Sequence, residues 1–320
     1  MLTPELLHYV AIGLAVSLGS IGTGIGQGIA AFGSLNSLPR QNQGNDQIFR
    51  TMVIGLAFIE SGVVLALVIA LLMLFGGGQT KIIWATSIAE IGIALAIGVA
   101  ATSISIASSL AVKSSCQSIS RQPFFSQKIL TLMLLCQSII EAPVVFAFII
   151  SLVVRAGLNE SLTIFEGIKY FAACFCMALG CIGPSTGQGI FAKATCEAVG
   201  LNEDAYGKIF TFSIINEAVI ETPLIFSLLM SILIAWWPIS VTNPLSNVIA
   251  FLIAALTMGL GSFGAGSAIG IVASKGCKQI ALNTFCYPSV FRSTLLSQAF
   301  IESCAIYTLI IALFLVTRSW

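Results

Sequence analysis

The chain has 320 residues, 57% of them hydrophobic and only 8% of them Asp, Glu, Lys or Arg, with a formal net charge of +1. Soluble domains carry roughly 25% charged residues, so a water-soluble globule of this size is excluded and lipid is the main solvent. The small net charge speaks against a nucleic-acid partner. Nine cysteines with no CxxC and no paired histidine give neither a disulfide framework nor a zinc site.

In chain order, apolar runs lie near 6–33, 51–75, 84–112, 129–154, 169–194, 208–236, 247–274 and 291–317. A hydrocarbon core takes about 20 apolar residues per spanning helix, so the pattern predicts eight transmembrane helices with short connections. Met1 to Tyr9 has no basic region, and no cleavable signal or Arg-rich transit peptide is expected before the first span. Scattered cysteines such as Cys174, Cys176 and Cys304 are expected as small apolar packers.

The eight runs form four copies of one unit. Glu60, Glu141, Glu221 and Glu302 each sit near the middle of an even-numbered span, with separations of 81, 80 and 81 residues. Counting back 33 residues from each gives Gln27, Ser108, Gln188 and Ile269, all near the middle of the preceding span. Around these positions small residues alternate in every unit. They are Gly22, Gly24, Gly26 and Gly28; Ser103, Ser105, Ala107 and Ser109; Gly183, Ser185, Gly187 and Gly189; and Gly264, Gly266, Ala268 and Gly270. The expected fold is all-α and integral to the membrane, with four tandem helical hairpins over 1–80, 81–160, 161–241 and 242–320.

Charge placement predicts the orientation. Loops inside the hairpins carry Arg40, Arg50, Lys113, Arg121, Lys128, Lys193, Lys208, Lys275, Lys278 and Arg292. The other side has only Lys81, Arg155, Lys169 and Arg318. This bias puts the hairpin loops in the cytoplasm and both termini outside. Trp84, Trp236, Trp237 and Trp320 all fall at the outer boundary, as an interfacial aromatic belt would. All four units point the same way, unlike the inverted repeats of many secondary transporters.

Small residues let helix backbones approach closely in lipid, and alternate positions let neighbours press in from two sides. That predicts an inner layer of first helices with the bulkier second helices outside. A carboxylate near the bilayer midplane costs about 2.5–3.5 kcal/mol on insertion scales, so four at one depth point to function. Such a group is neutral against lipid and ionises beside water or a cation, the behaviour of a reversible proton carrier; with further oxygens around it, it also suits a bound cation.

The surroundings differ between units. Ser61, Thr222 and Ser303 follow their acids directly, whereas Ala142 follows Glu141. One helical turn before the acids come Leu56, Gln137, Glu217 and Gln298, so the three polar ones join the candidate accessory ligands. Glu217 beside Glu221 reads either as a fifth working carboxyl or as a protonated hydrogen-bond donor. Pro143 and Pro223, two residues past their acids, are expected to kink the helix and free a carbonyl near the site. His8 reads as interfacial, and Glu90 as a local feature outside the ion path.

A glycine-striped first helix and a mid-membrane Glu in the second resemble the c-subunit, or proteolipid, of rotary ATP synthases. The residues that carry this are Gly22-Thr23-Gly24-Ile25-Gly26-Gln27-Gly28, Ile59-Glu60-Ser61, and the polar loops Arg40-Gln41 and Arg121-Gln122-Pro123. The resemblance covers nearly the whole chain as four fused copies. It implies a two-layered rotor ring of several copies of the chain, with no catalysis of its own and no cofactor. Glu60, Glu141, Glu221 and Glu302 would carry the transported H⁺ or Na⁺. Gln27, Gln188, Ser61, Thr222, Ser303 and Tyr307 match accessory ligand positions, and Na⁺ would be held at Gln27, Glu60 and Ser61 or at Gln188, Glu221 and Thr222. Arg40, Gln41, Arg121 and Gln122 would meet central-stalk subunits, and a stator subunit would supply half-channels and an arginine. A bacterial inner membrane is the expected location.

Leu201-Asn202 and Leu282-Asn283 replace the Arg-Gln pair in the last two units, which puts stalk contact there in doubt. Ile269, and Ala142 beside Ser108, leave too few oxygen ligands for a cation at every site, so H⁺ is favoured over Na⁺. The chain has no Walker motif, so nucleotide chemistry belongs to other subunits. Two other readings are a cation-coupled transporter or channel and a non-conducting structural proteolipid. The first predicts unequal repeats around one site; the second predicts that Glu141 or Glu302 can be replaced without loss.

Overall fold

The computed structural model describes residues 3–40, 42–76, 82–240 and 242–318. Gln41, Lys81 and Trp320 lie outside the described residues. Among the described residues the chain is helical, with no strand. Helices α1 (Pro4–Leu35) and α2 (Asn45–Phe75) form the first hairpin. The second comprises α3 (Trp84–Arg121), α4 (Ser126–Ile140) and α5 (Ala142–Gly157). Helices α6 (Ile164–Leu201) and α7 (Tyr206–Trp236) form the third, and α8 (Pro244–Leu282) and α9 (Tyr287–Thr317) the fourth. Eight spans are long and apolar enough to cross a membrane, α4 and α5 together making one of them.

Local chemistry sets the helix ends. The Thr3 hydroxyl accepts from the Leu6 amide, with Pro4 in the first turn where its missing N–H costs nothing. Thr163 and Glu166 close a reciprocal capping box at the start of α6. Tight 3₁₀ turns such as Pro123–Phe125 and Glu203–Ala205 return the chain within each hairpin.

The first helices α1, α3, α6 and α8 pack side by side in sequence order as one layer, and the second helices cover them as the other. Glycine is required where the first helices meet. A Cβ on Gly187 would collide with the Gly266 carbonyl, and one on Gly270 with the Gly187 backbone. Ser and Thr hydroxyls cross the same seams: Thr23 to Ser105 at 3.1 Å and Ser103 to Ser185 at 3.3 Å. Gly24, Gly28 and Gly264, in contrast, face open space on the two free ends of the layer.

The prolines behave differently from one another. The second span of hairpin two breaks at Glu141, between α4 and α5, whereas α7 runs unbroken through Pro223. A helical proline strips the carbonyl four residues earlier of its donor. In α7 that carbonyl, Val219, receives the Thr222 hydroxyl at 2.9 Å. Ala142 holds the equivalent position in hairpin two and has no hydroxyl to give to Ile139. Pro184, inside α6, leaves the Gly180 carbonyl to Ser262 of α8, which donates to it at 2.9 Å.

The structure corrects two expectations drawn from the sequence. His8 is 6% exposed and packed in the seam: its Nδ1 lies 2.6 Å from Glu90 Oε2, and Arg155 donates to Glu90 Oε1 at 3.4 Å. The three residues lie one on each of α1, α3 and α5, so Glu90 ties hairpin one to hairpin two. Seven cysteines are buried as packers, but Cys304 is exposed on α9.

Candidate ion-carrier site

Hydrogen bonds tie neighbouring hairpins together. Between hairpins one and two and between three and four, Thr23 meets Ser105, Gln137 meets Gly55, Ser262 meets Gly180 and Gln298 meets Asn216, each pair 82 residues apart. The repeat there is 81 residues, so these pairs are one residue out of step. Ser103 and Ser185, across hairpins two and three where the repeat is 80, are two out of step. Glu60, Glu141, Glu221 and Glu302 all lie on the second-helix layer.

Glu60 is exposed on α2, while Glu141, Glu221 and Glu302 are half-buried. Glu60 and Glu141 line one groove of about 430 Å³ between α2 and α5, floored by Ser61, Val64, Leu65 and Val144. The groove wall is almost wholly aliphatic, so it presents two carboxyl groups to lipid with few other polar atoms. The Ser61 hydroxyl donates to the Phe58 carbonyl at 2.8 Å and lies beside the Glu141 carboxyl. Glu141 therefore has its neighbouring hydroxyl on the preceding hairpin.

The accessory candidates separate into two groups. Ser61, Thr222 and Ser303 stay in the acid row, and each donates to the carbonyl three residues earlier. Gln27 is half-buried on α1, and Tyr307 is 65% exposed on the free face of α9. Gln137, Glu217, Gln298 and Gln188 are instead fully buried between hairpins. The Gln137 amide donates to Ser108 Oγ at 2.7 Å and to the Gly55 carbonyl at 3.2 Å. The Gln298 amide donates to Asn216 Oδ1 at 2.8 Å. Sequence reasoning missed Asn216; its only signal is one more polar residue beside Glu217 in an apolar run.

At the loop end, Arg40 and Arg121 are exposed. Lys278 reaches Glu197 at 3.2 Å across the seam between hairpins three and four, and Lys208 donates to the Thr284 carbonyl at 2.8 Å. Both contacts hold loop ends of neighbouring hairpins together.

The geometry agrees with what the chain is similar to. The family model for the ATP synthase c-subunit matches four times, at 10–73, 91–154, 171–234 and 252–315. The ATP synthase c-subunit of Dehalococcoides mccartyi is 41% identical over 71 residues, which is 22% of this chain and 93% of that protein. The ATP synthase c-subunit of Prochlorococcus marinus is 47% identical over 66 residues, 21% of this chain and 82% of that protein. Each relative is thus about as long as one hairpin. The four matches span most of the chain and every one contains one of the four repeated glutamates, so the chain belongs to the ATP synthase c-subunit family as a fusion of four of its hairpins.

Proposed function

We propose that the four glutamates each carry one H⁺ as the rotor turns. The family is a non-catalytic membrane rotor component, and the ion and its carrying residues are inferred from the site. The observation that supports the inference is the row of half-buried or exposed acids on the outer layer, two of which, Glu60 and Glu141, line an aliphatic groove. A carboxyl there crosses lipid in neutral form and ionises where a stator subunit supplies water and a cation. Moving one charge through the membrane field is worth about 2.3 kcal/mol per 100 mV, so several carriers act per ATP.

H⁺ is favoured over Na⁺ because a turning ring needs every site to accept the same ion. Protonation needs the carboxyl alone, whereas a cation needs further oxygens. Ile269 in hairpin four and Ala142, next to Glu141, supply none. The open faces of α1 and α8, with Gly24, Gly28 and Gly264 uncovered, suit the first and last hairpins of neighbouring copies. Closure would give a hairpin count divisible by four. The loops with Arg40 and Arg121 would face the central stalk from the cytoplasm of a bacterial inner membrane.

The test is labelling of the purified assembly with a hydrophobic carbodiimide over a pH series, with and without Na⁺. Modification of all four glutamates, fading as pH rises and indifferent to millimolar Na⁺, is expected. Protection by Na⁺ at every site would replace H⁺ with Na⁺, and modification of none would overturn the carrier role.

A further inference from the structure

Glu217 and Gln188 are each 0% exposed, and none of their four side-chain polar atoms has a hydrogen-bond partner. Buried polar groups left in this state are destabilising, and a charged one more so than a neutral one. The titratable groups facing Glu217 are Cys136 on α4, Cys196 on α6 and Glu221 on its own helix; none is a cation. A carboxylate here would have nothing to neutralise it.

The repeat shows what the position does elsewhere. Gln188 and Glu217 are 29 residues apart, as are Ser108 and Gln137, which bond at 2.7 Å. In hairpins two and four the position of Glu217 is a glutamine that bonds to the preceding hairpin, at Gly55 and at Asn216. Cys136 is the corresponding residue against Glu217. A neutral carboxylic acid has nearly the shape of a carboxamide, with one donor and one acceptor on its edge.

We infer that Glu217 is an uncharged, non-translocating acid whose carboxyl pairs edge to edge with the Gln188 carboxamide and locks the buried layer of hairpin three. The acid O–H donates to Gln188 Oε1 and Gln188 Nε2–H donates to the acid carbonyl, so all four orphaned atoms are satisfied. A carboxylate cannot make this pair, because one of its oxygens would oppose the amide oxygen. Terminal carboxyl and carboxamide torsions are broad, so the two planar groups can turn edge to edge without leaving their rotamers. Glu217 is thus a positioning residue one turn below Glu221, and the pairing takes Gln188 away from any ion at Glu221. The inference stands on burial and repeat register, and holds whichever ion the outer row carries.

The experiment is isotope-edited infrared spectroscopy of the reconstituted assembly, alongside ion-translocation assays, for the unmodified chain, Glu217→Gln, Glu217→Ala and Glu221→Gln. One protonated-carboxyl band is expected to persist above the pH at which the outer acids ionise and to vanish in Glu217→Gln. That variant, which keeps a two-point amide pair, should assemble and translocate within about twofold of the unmodified chain. Glu217→Ala should lose thermal stability. Loss of translocation in an assembled Glu217→Gln, or loss of the persistent band on adding Na⁺, would overturn the inference. Translocation surviving Glu221→Gln would count against the carrier reading instead.

Discussion

Hairpins two and three are clasped on both sides, whereas hairpins one and four each have a free face. The same sequence pattern therefore has two structural meanings. Gly187 lies against the Gly266 carbonyl with no room for a side chain, while Gly24, at an alternate position of the same stripe, touches nothing. The repeated glutamates follow it only in part, for Glu60 is exposed, while Glu302 of end hairpin four is half-buried like Glu141 and Glu221. A fused chain carries out most of the packing of the layer internally and leaves an open face at each end, at Gly24 and Gly28 of α1 and at Gly264 of α8.

Four substitutions test that contrast. The largest effect is expected from Glu141→Gln, since on the proposed mechanism every glutamate must pass the stator in each turn. Proton pumping into vesicles should fall by about 100-fold or more. Equal loss from Glu60→Gln would show that inner and end hairpins work alike, and retained pumping in either variant would restore the structural-proteolipid reading. Next, Gly187→Val should destabilise the chain itself by about 3 kcal/mol or more, through overpacking at a backbone seam. Gly24→Val should leave the single chain's thermal melting unchanged and instead reduce the mass of the detergent-extracted assembly. If both variants act on the chain alone, the open face is not a seam between copies.

Glu90→Ala comes third. It leaves Arg155 and His8 without their shared acid between hairpins one and two, at a cost of about 3 kcal/mol, visible as a lowered melting temperature. The smallest effect is Ser61→Ala, worth about 1 kcal/mol through one hydroxyl beside Glu141. The pH profile of carbodiimide labelling at Glu141 should then move, because its neighbouring hydroxyl is gone. An unchanged profile would separate the hydroxyl from the carrier's behaviour.

Much of this molecule is legible in its residues. The ladder of glutamates, the small-residue stripe and the loop charges give eight spans, four hairpins and two layers, because lipid leaves helices as the way to satisfy each backbone group within its own segment. What they do not give is side-chain partnership across hairpins. Along the chain His8 and Glu90 look like an interfacial residue and a local one, since their bond joins positions 82 residues apart. Gln137 and Gln298 look like ion ligands one turn from their acids, yet they point into the seam while the acids face outward. Spacing along one helix gives a shared side but not the depth at which a neighbour covers it.

By itself the sequence determined the repeat, the depth of the acids and the class of architecture, because composition and period report directly on solvent and helix face. Only the tertiary structure decided how neighbouring hairpins register. That register puts the Ser61 hydroxyl beside Glu141, gives Gln137 and Gln298 partners on the preceding hairpin, and buries Glu217 and Gln188. The register is a property of packed pairs of helices, set by where small residues let backbones touch, and no single span contains it.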